Sequence, residues 1–194
     1  MITRRHFLLT LPLLLAGCRN KRPPFQNTDI SGTNIGSDFT LTDCYGAQAK
    51  LANFQGKVIV LFFGYTSCPD ICPTALGKFA NLMQQPGMTA ETVQVIFISL
   101  DPARDSPERL CEYTHWFHPS FIGLTGDSAT INEIAAKFRV TSIKKEIGGE
   151  MGYVLDHSAG AYVFGIDGRI RLYLAENAKP EAITEDIRRL IAGE

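Results

Sequence analysis

The sequence predicts an α/β fold: a central mixed sheet flanked by helices, with an N-terminal β-hairpin extension. Three observations predict it. Lys57 to Phe63 is apolar after its first residue, and Val93 to Leu100 is a second such run interrupted only by Gln94 and Ser99, as in strands buried on both faces. Apolar residues at helical spacing, such as Leu76, Phe79, Ala80 and Met83, alternate with these runs. Asp167-Gly168 then separates two more strand-like segments, which is strong hairpin chemistry.

The chain opens with a segment to be set apart from the fold. Arg4 and Arg5 precede an apolar stretch, Phe7 to Leu15, that is too short to span a bilayer. Small residues follow, ending at Leu15-Ala16-Gly17-Cys18. This describes a signal peptide over residues 1–17 rather than an uncleaved anchor, since Pro12 interrupts the run and Arg19 to Arg22 are polar and basic. The tetrapeptide resembles a bacterial lipobox, in which Cys18 is lipidated. Thr3 to Leu8 resembles a twin-arginine export signal, with Leu9 where lysine is often found. Cleavage leaves roughly 177 of the 194 residues, enough for one full core. Residues 18–33 read as a lipidated tether carrying Pro23-Pro24, and 34–194 as the domain. The expected address is the periplasmic side of a bacterial cell envelope, on the inner membrane ahead of the outer. A net charge of −1 without a basic cluster in the domain argues against nucleic acid as a partner.

Within the domain the elements follow in order. Phe39 to Thr42 alternates with period two and pairs with Ala49 to Leu51 around Tyr45-Gly46. Lys57 to Phe63 is a central strand. Thr74 to Gln84 is a helix stopped by Pro86-Gly87. Val93 to Leu100 is the second central strand. A helix from about Ser106, with Pro107 in its first turn, ends near Phe117. Phe121 to Leu124 is a short strand, and Asp127-Ser128 caps a helix through Lys137. Ala161 to Ile166 and Arg169 to Leu174 form the late hairpin. An amphipathic helix over about Pro180 to Ala192 closes the chain.

The chemistry concentrates in Gly64 to Pro73, G-Y-T-S-C-P-D-I-C-P, between the first central strand and its helix. That is where open α/β sheets place their sites. Cys68 and Cys72 are four apart near a helix N-terminus, where amide dipoles favour thiolate. Two convergent sulfurs close a disulfide or grip a soft metal ion. The element order looks like a thioredoxin-like fold, which sets Ala161 to Ile166 beside the dithiol strand and brings His157 within reach of both sulfurs. Two thiolates and an imidazole suit Cu(I), whereas Cu(II) would ask for a fourth ligand or a water.

Asp101 to Pro107, D-P-A-R-D-S-P, is a connector with Asp105 or Ser106 as N-cap, or else supports the site through Asp101 or Arg104. Cys44 and Cys111 are either buried small hydrophobes or a disulfide of an oxidising compartment. His115 and His118 read as surface or packing residues.

Four stretches in order resemble the Sco/SenC family of copper-binding, membrane-tethered thioredoxin-like proteins: Phe63 to Thr74, Ser99 to Pro107, Gly123 to Gly126 and Tyr153 to Ser158. The resemblance implies copper on Cys68, Cys72 and His157, with Asp156 beside them. It further implies a metallochaperone for the dinuclear copper site of cytochrome c oxidase, its partner being the copper-accepting subunit or a related exported copper protein. A lipobox in place of a transmembrane helix departs from many members, and Cys44 and Cys111 lie outside the pattern.

Other readings of the dithiol follow different chemistry. A thiol-disulfide oxidoreductase would use Cys68 as attacking thiolate and Cys72 as resolving thiol. Asp156 to Ala161 lacks the proline such enzymes typically set against the dithiol. A thiol peroxidase is weakened by the absence of a neighbouring arginine in sequence, and a closed zinc site by offering three ligands rather than four.

Overall fold

A computed structural model of the protein describes residues 23–36, 38–149 and 152–194. The expected signal peptide and Cys18 lie outside the described residues. In chain order the elements are β1 (Thr28–Asp29), β2 (Thr40–Asp43), β3 (Gln48–Lys50), β4 (Val58–Gly64), α1 (Ile71–Met83), β5 (Val93–Ser99), α2 (Pro107–Phe117), β6 (Ile122–Thr125) and α3 (Ser128–Lys137). They continue through β7 (Ser142–Gly148), β8 (Gly152–His157), β9 (Ala161–Phe164), β10 (Ile170–Leu174) and α4 (Pro180–Ile191).

β4 is the centre from which the rest is placed. Every one of its residues is buried, and the pleat sends alternate side chains to opposite faces. Val58, Val60 and Phe62 join one core with Leu76 and Phe79 of α1, Leu110 of α2 and Ile183, Ile187 and Leu190 of α4. Ile59, Leu61 and Phe63 join the other with Leu41 and with Ile131, Ile134 and Phe138. One sheet therefore separates two apolar layers. Its strand order is β1-β10-β9-β4-β5-β6-β2-β3. β4, β5 and β6 are parallel, and β9 runs antiparallel beside β4. The hairpin β2–β3 extends the sheet beyond β6 through Thr42 and Asp43. This is the thioredoxin-like mixed sheet with an N-terminal hairpin.

Several details sharpen the expected elements. α1 starts at Ile71, before the expected Thr74, because Pro73 falls in the first turn, where a missing N–H leaves no hydrogen bond unmade. Ser106, rather than Asp105, caps α2, its Oγ accepting from the Arg109 amide at 3.3 Å. Asp127 caps α3, accepting from the Thr130 amide at 2.9 Å. A disulfide joins Cys44, in the turn after β2, to Cys111 of α2.

Two elements differ from the sequence expectation. The ribbon β7–β8 stands apart from the main sheet and lies where no strand was expected. β7 is exposed along its whole length, so it carries no core-facing stripe for a period of two to reveal. The second difference is in the stretch read as a tether. Thr28 and Asp29 pair with Tyr173 and Leu172 of β10, and the buried Asp186 of α4 accepts from the amides of Gln26 and Asn27 at 3.0 and 2.8 Å. A two-residue strand held by one helix carboxylate leaves no periodic trace in sequence. Among the described residues no helix is long and apolar enough to cross a membrane.

Candidate functional site

β4 ends at Gly64, and its successor Tyr65 begins the loop that carries the thiols. Gly64 is required by close approach, since a Cβ there would lie 2.7 Å from Cys72 Sγ and 2.8 Å from Phe97 Cε2. The loop is braced from the β5–α2 connection. Buried Asp105 accepts from the Thr66 amide at 3.1 Å, from Thr66 Oγ1 at 2.6 Å and from Ser99 Oγ at 2.7 Å. Arg109 adds donations to Thr66 Oγ1 at 2.6 Å and Ser67 Oγ at 3.2 Å. In sequence Asp105 reads only as a cap, and nothing marks Arg109 as a partner of the thiol loop. The signal available was an acidic residue just past the end of the strand neighbouring β4.

Cys72 is the second residue of α1 and is wholly buried, whereas Cys68, in the loop before it, is partly exposed. Both are reduced. A hydrogen bond from the Cys72 thiol is the chief cause holding Cys68 far below an ordinary thiol, against the opposing effect of burial and with help from the amides of Asp70 and Cys72. That same bond, then burial, then the charge on Cys68, push Cys72 far above the usual range. The pair therefore shares one proton, which Cys72 holds more tightly than Cys68 does.

His157 ends β8, at the base of the ribbon where it pairs with Ser142. Its Nδ1 lies 2.9 Å from the Ser158 carbonyl, which can only accept, so the ring proton sits on Nδ1. Nε2 then presents a lone pair toward Cys72 Sγ, 3.4 Å away. The ring meets Tyr65 and Phe62 at interplanar angles of 78° and 70°, which fixes its plane. The donor atoms of Cys68, Cys72 and His157 all lie within 4.8 Å of one another.

The other candidate residues divide. Asp101 accepts from Tyr153 Oη at 2.8 Å and pairs with Arg104. Arg104 donates to the Tyr153 carbonyl at 3.0 Å and stacks over the Tyr153 ring, 3.6 Å from its centroid. Its guanidinium also lies 5.7 Å from the centroid of Tyr65, the ring that packs on His157. Asp101 and Arg104 thus tie the histidine-bearing ribbon to the sheet at one remove from sulfur. Asp156 points away. It is exposed and bonds Lys145 at 2.6 Å across the ribbon, because neighbours on a strand face opposite sides. Lys145, through its hydrogen bond and charge, holds its carboxyl below the usual range.

A family model described as SCO1/SenC matches residues 27–192. The SCO2-like protein of Rickettsia conorii is 35% identical over 181 residues, covering 92% of this chain and 88% of its own. The mitochondrial SCO2 homolog of Bos taurus is 35% identical over 159 residues, covering 80% of this chain and 59% of its own length. The crystal structure of Arabidopsis thaliana ScoI with copper bound superposes with a TM-score of 0.75 at 32% identity, covering 82% of this chain and 99% of the other.

Proposed function

The chain belongs to the SCO1/SenC family, and from that premise we propose that it is a copper metallochaperone of the bacterial cell envelope. Copper is its cargo, taken as Cu(I) by Cys68, Cys72 and His157. The reading extends to a lipid tether at Cys18 and to delivery at the dinuclear copper site of cytochrome c oxidase. The copper-bound state of the related Arabidopsis protein supports it.

One observation carries the reading. Two sulfurs and an imidazole nitrogen converge within 4.8 Å, and the bond from Nδ1 to the Ser158 carbonyl leaves Nε2 as the free donor. The donor set fits a soft ion. Cys68, with its lowered pKa, yields a thiolate readily, and Cys72 gives up the shared proton as a cation takes that position. Partial exposure of Cys68 and His157 gives an acceptor's thiol access, while buried Cys72 holds the ion from beneath.

The same asymmetry favours a second reading, thiol-disulfide exchange with Cys68 attacking and Cys72 resolving. Metal and disulfide are exclusive occupants of these sulfurs. The test is a Cu(I) titration of the reduced full chain carrying Cys18→Ser against a competing chelator. The tightest equivalent should vanish in Cys68→Ser and Cys72→Ser, and weaken on the order of 100-fold in His157→Ala. Unchanged binding in His157→Ala would remove the three-ligand site and leave the exchange reading in front.

A further inference from the structure

We propose that Cys44, Cys111 and His115 form a second site for a soft monovalent ion of the Cu(I) class, opened by reduction of their disulfide. The three side chains offer donor atoms within 4.8 Å of one another, the same convergence found at Cys68, Cys72 and His157. All three are half-buried, open enough for an ion to enter. The disulfide and the site described above share no residue.

His115 is what separates this from a simple staple. It lies four residues beyond Cys111, one helical turn along the same face of α2. No hydrogen bond engages either of its ring nitrogens among the described residues, and its one aromatic neighbour is the exposed Tyr45, 6.4 Å away between centroids. It also sits in the last turn of α2, where unpaired carbonyls present partial negative charge that favours a cation.

The two cysteines are held opposite each other by more than their own bond. Cys44 follows β2, which pairs with β6 through Thr42–Thr125 and Asp43–Leu124. Its turn is fixed by Asp43, whose Oδ1 accepts from the amides of Tyr45 and Ala47 at 2.9 and 2.8 Å. α2 packs on the same strand so closely that a Cβ on Gly123 would meet Leu110 Cβ at 2.8 Å. Both carriers therefore rest on β6, and opening the disulfide leaves the sulfurs facing one another beside His115.

The opening step is thiol-disulfide exchange with a dithiol reductant. The Cys44–Cys111 bond breaks, a disulfide forms in the reductant, and two protons and two electrons pass to the two thiols. Binding of the ion then releases those two protons. In the oxidised state both sulfurs are committed to each other and the site is closed.

The test uses the full chain with Cys18→Ser, Cys68→Ser and Cys72→Ser, so that of its five cysteines only Cys44 and Cys111 remain. Failure here is then independent of the reading proposed for the first site. Half the sample is reduced with a water-soluble phosphine, which takes oxygen from water as the thiols form, and both halves are titrated with Cu(I) against a chelator. The reduced chain should bind one equivalent, the oxidised chain none, and His115→Ala in the reduced background should bind at least about 10-fold more weakly. Cu(I) should also raise the melting temperature of the reduced chain by reconnecting the hairpin to α2. Equal binding by oxidised and reduced chains, or by His115→Ala and its parent, overturns the proposal. So does a reduced chain that loses its far-UV circular dichroism and fails to regain it with Cu(I), because the site needs the folded pairing on β6.

Discussion

Cys72 Sγ stands 3.4 Å from Nε2 of His157 across 85 residues of chain. The contact joins the first turn of α1 to the end of β8, two elements with no strand pairing between them. β9 makes it possible, because its antiparallel place beside β4 returns the chain to the same end of the sheet. The Ser158 carbonyl then orients the ring. The imidazole is thus presented by backbone geometry and not by a partner carboxylate.

The shared proton gives the two thiols opposite pH behaviour. Cys68 has a lowered pKa, so its thiolate persists in neutral and mildly acid solution and its alkylation rate should fall only as pH drops through that lowered value. An ordinary thiol loses reactivity below about 8.5. Cys72 has a raised pKa and is buried, so it should stay unmodified at alkaline pH while Cys68 reacts. Differential alkylation followed by peptide mass spectrometry measures both. In Cys72→Ala the donated hydrogen bond is gone, and the Cys68 profile should move up toward the ordinary range. An unmoved profile would show that another group sets the Cys68 thiolate.

Two glycine substitutions should act with opposite sign. In Gly64→Ala the new methyl carbon would lie 2.7 Å from Cys72 Sγ with no void to enter, so sulfur or strand must shift. The expected cost is about 1–3 kcal/mol of stability, together with weaker Cu(I) binding. Gly77→Ala, in α1 with open space around the added carbon, should instead gain up to about 1 kcal/mol from helix propensity alone. Urea unfolding of the two variants decides it. A tolerated Gly64→Ala would mean that the thiol position is softer than the packing implies.

Legibility in the sequence followed burial. β4 and β5 were plain because a strand covered on both faces must be apolar at nearly every position, and Cys68 and Cys72 were plain because they follow one. His157 was found through its place before β9, although the ribbon that carries it was not. Ser142 to Gly148 holds two lysines and a glutamate on a strand with no buried face, so neither burial nor alternation marks it. Asp105 was seen as a cap candidate only, since its bonds to Thr66 lie 39 residues away and depend on β4 and β5 ending side by side. The family resemblance implied Asp156 beside the site, and the pleat turns it outward to Lys145.

Asp186 shows the same limit and supplies a further test. In sequence it is one acidic residue of an amphipathic helix, flanked by Glu185 and Ile187. In the fold it is wholly buried and accepts three hydrogen bonds, from the Gln26 amide, the Asn27 amide and Asn27 Nδ2 at 3.0, 2.8 and 2.8 Å. Phe25 lies beside this anchor, 4.3 Å from the Arg189 guanidinium to its ring centroid. Asp186→Ala removes a charged acceptor and strands three donors, so it should cost about 3 kcal/mol. Deleting residues 1–27 is the complementary experiment, since it strips the carboxylate of all three donors while letting water reach it, and a smaller loss is expected. Both read out as a lowered urea midpoint with the Cu(I) affinity of the folded protein unchanged, because the anchor touches none of Cys68, Cys72 or His157. A midpoint that stays put in both variants would mean that the segment before β1 merely rests on α4. A copper affinity that falls with it would mean that the anchor reaches the thiol loop through α4 and α1.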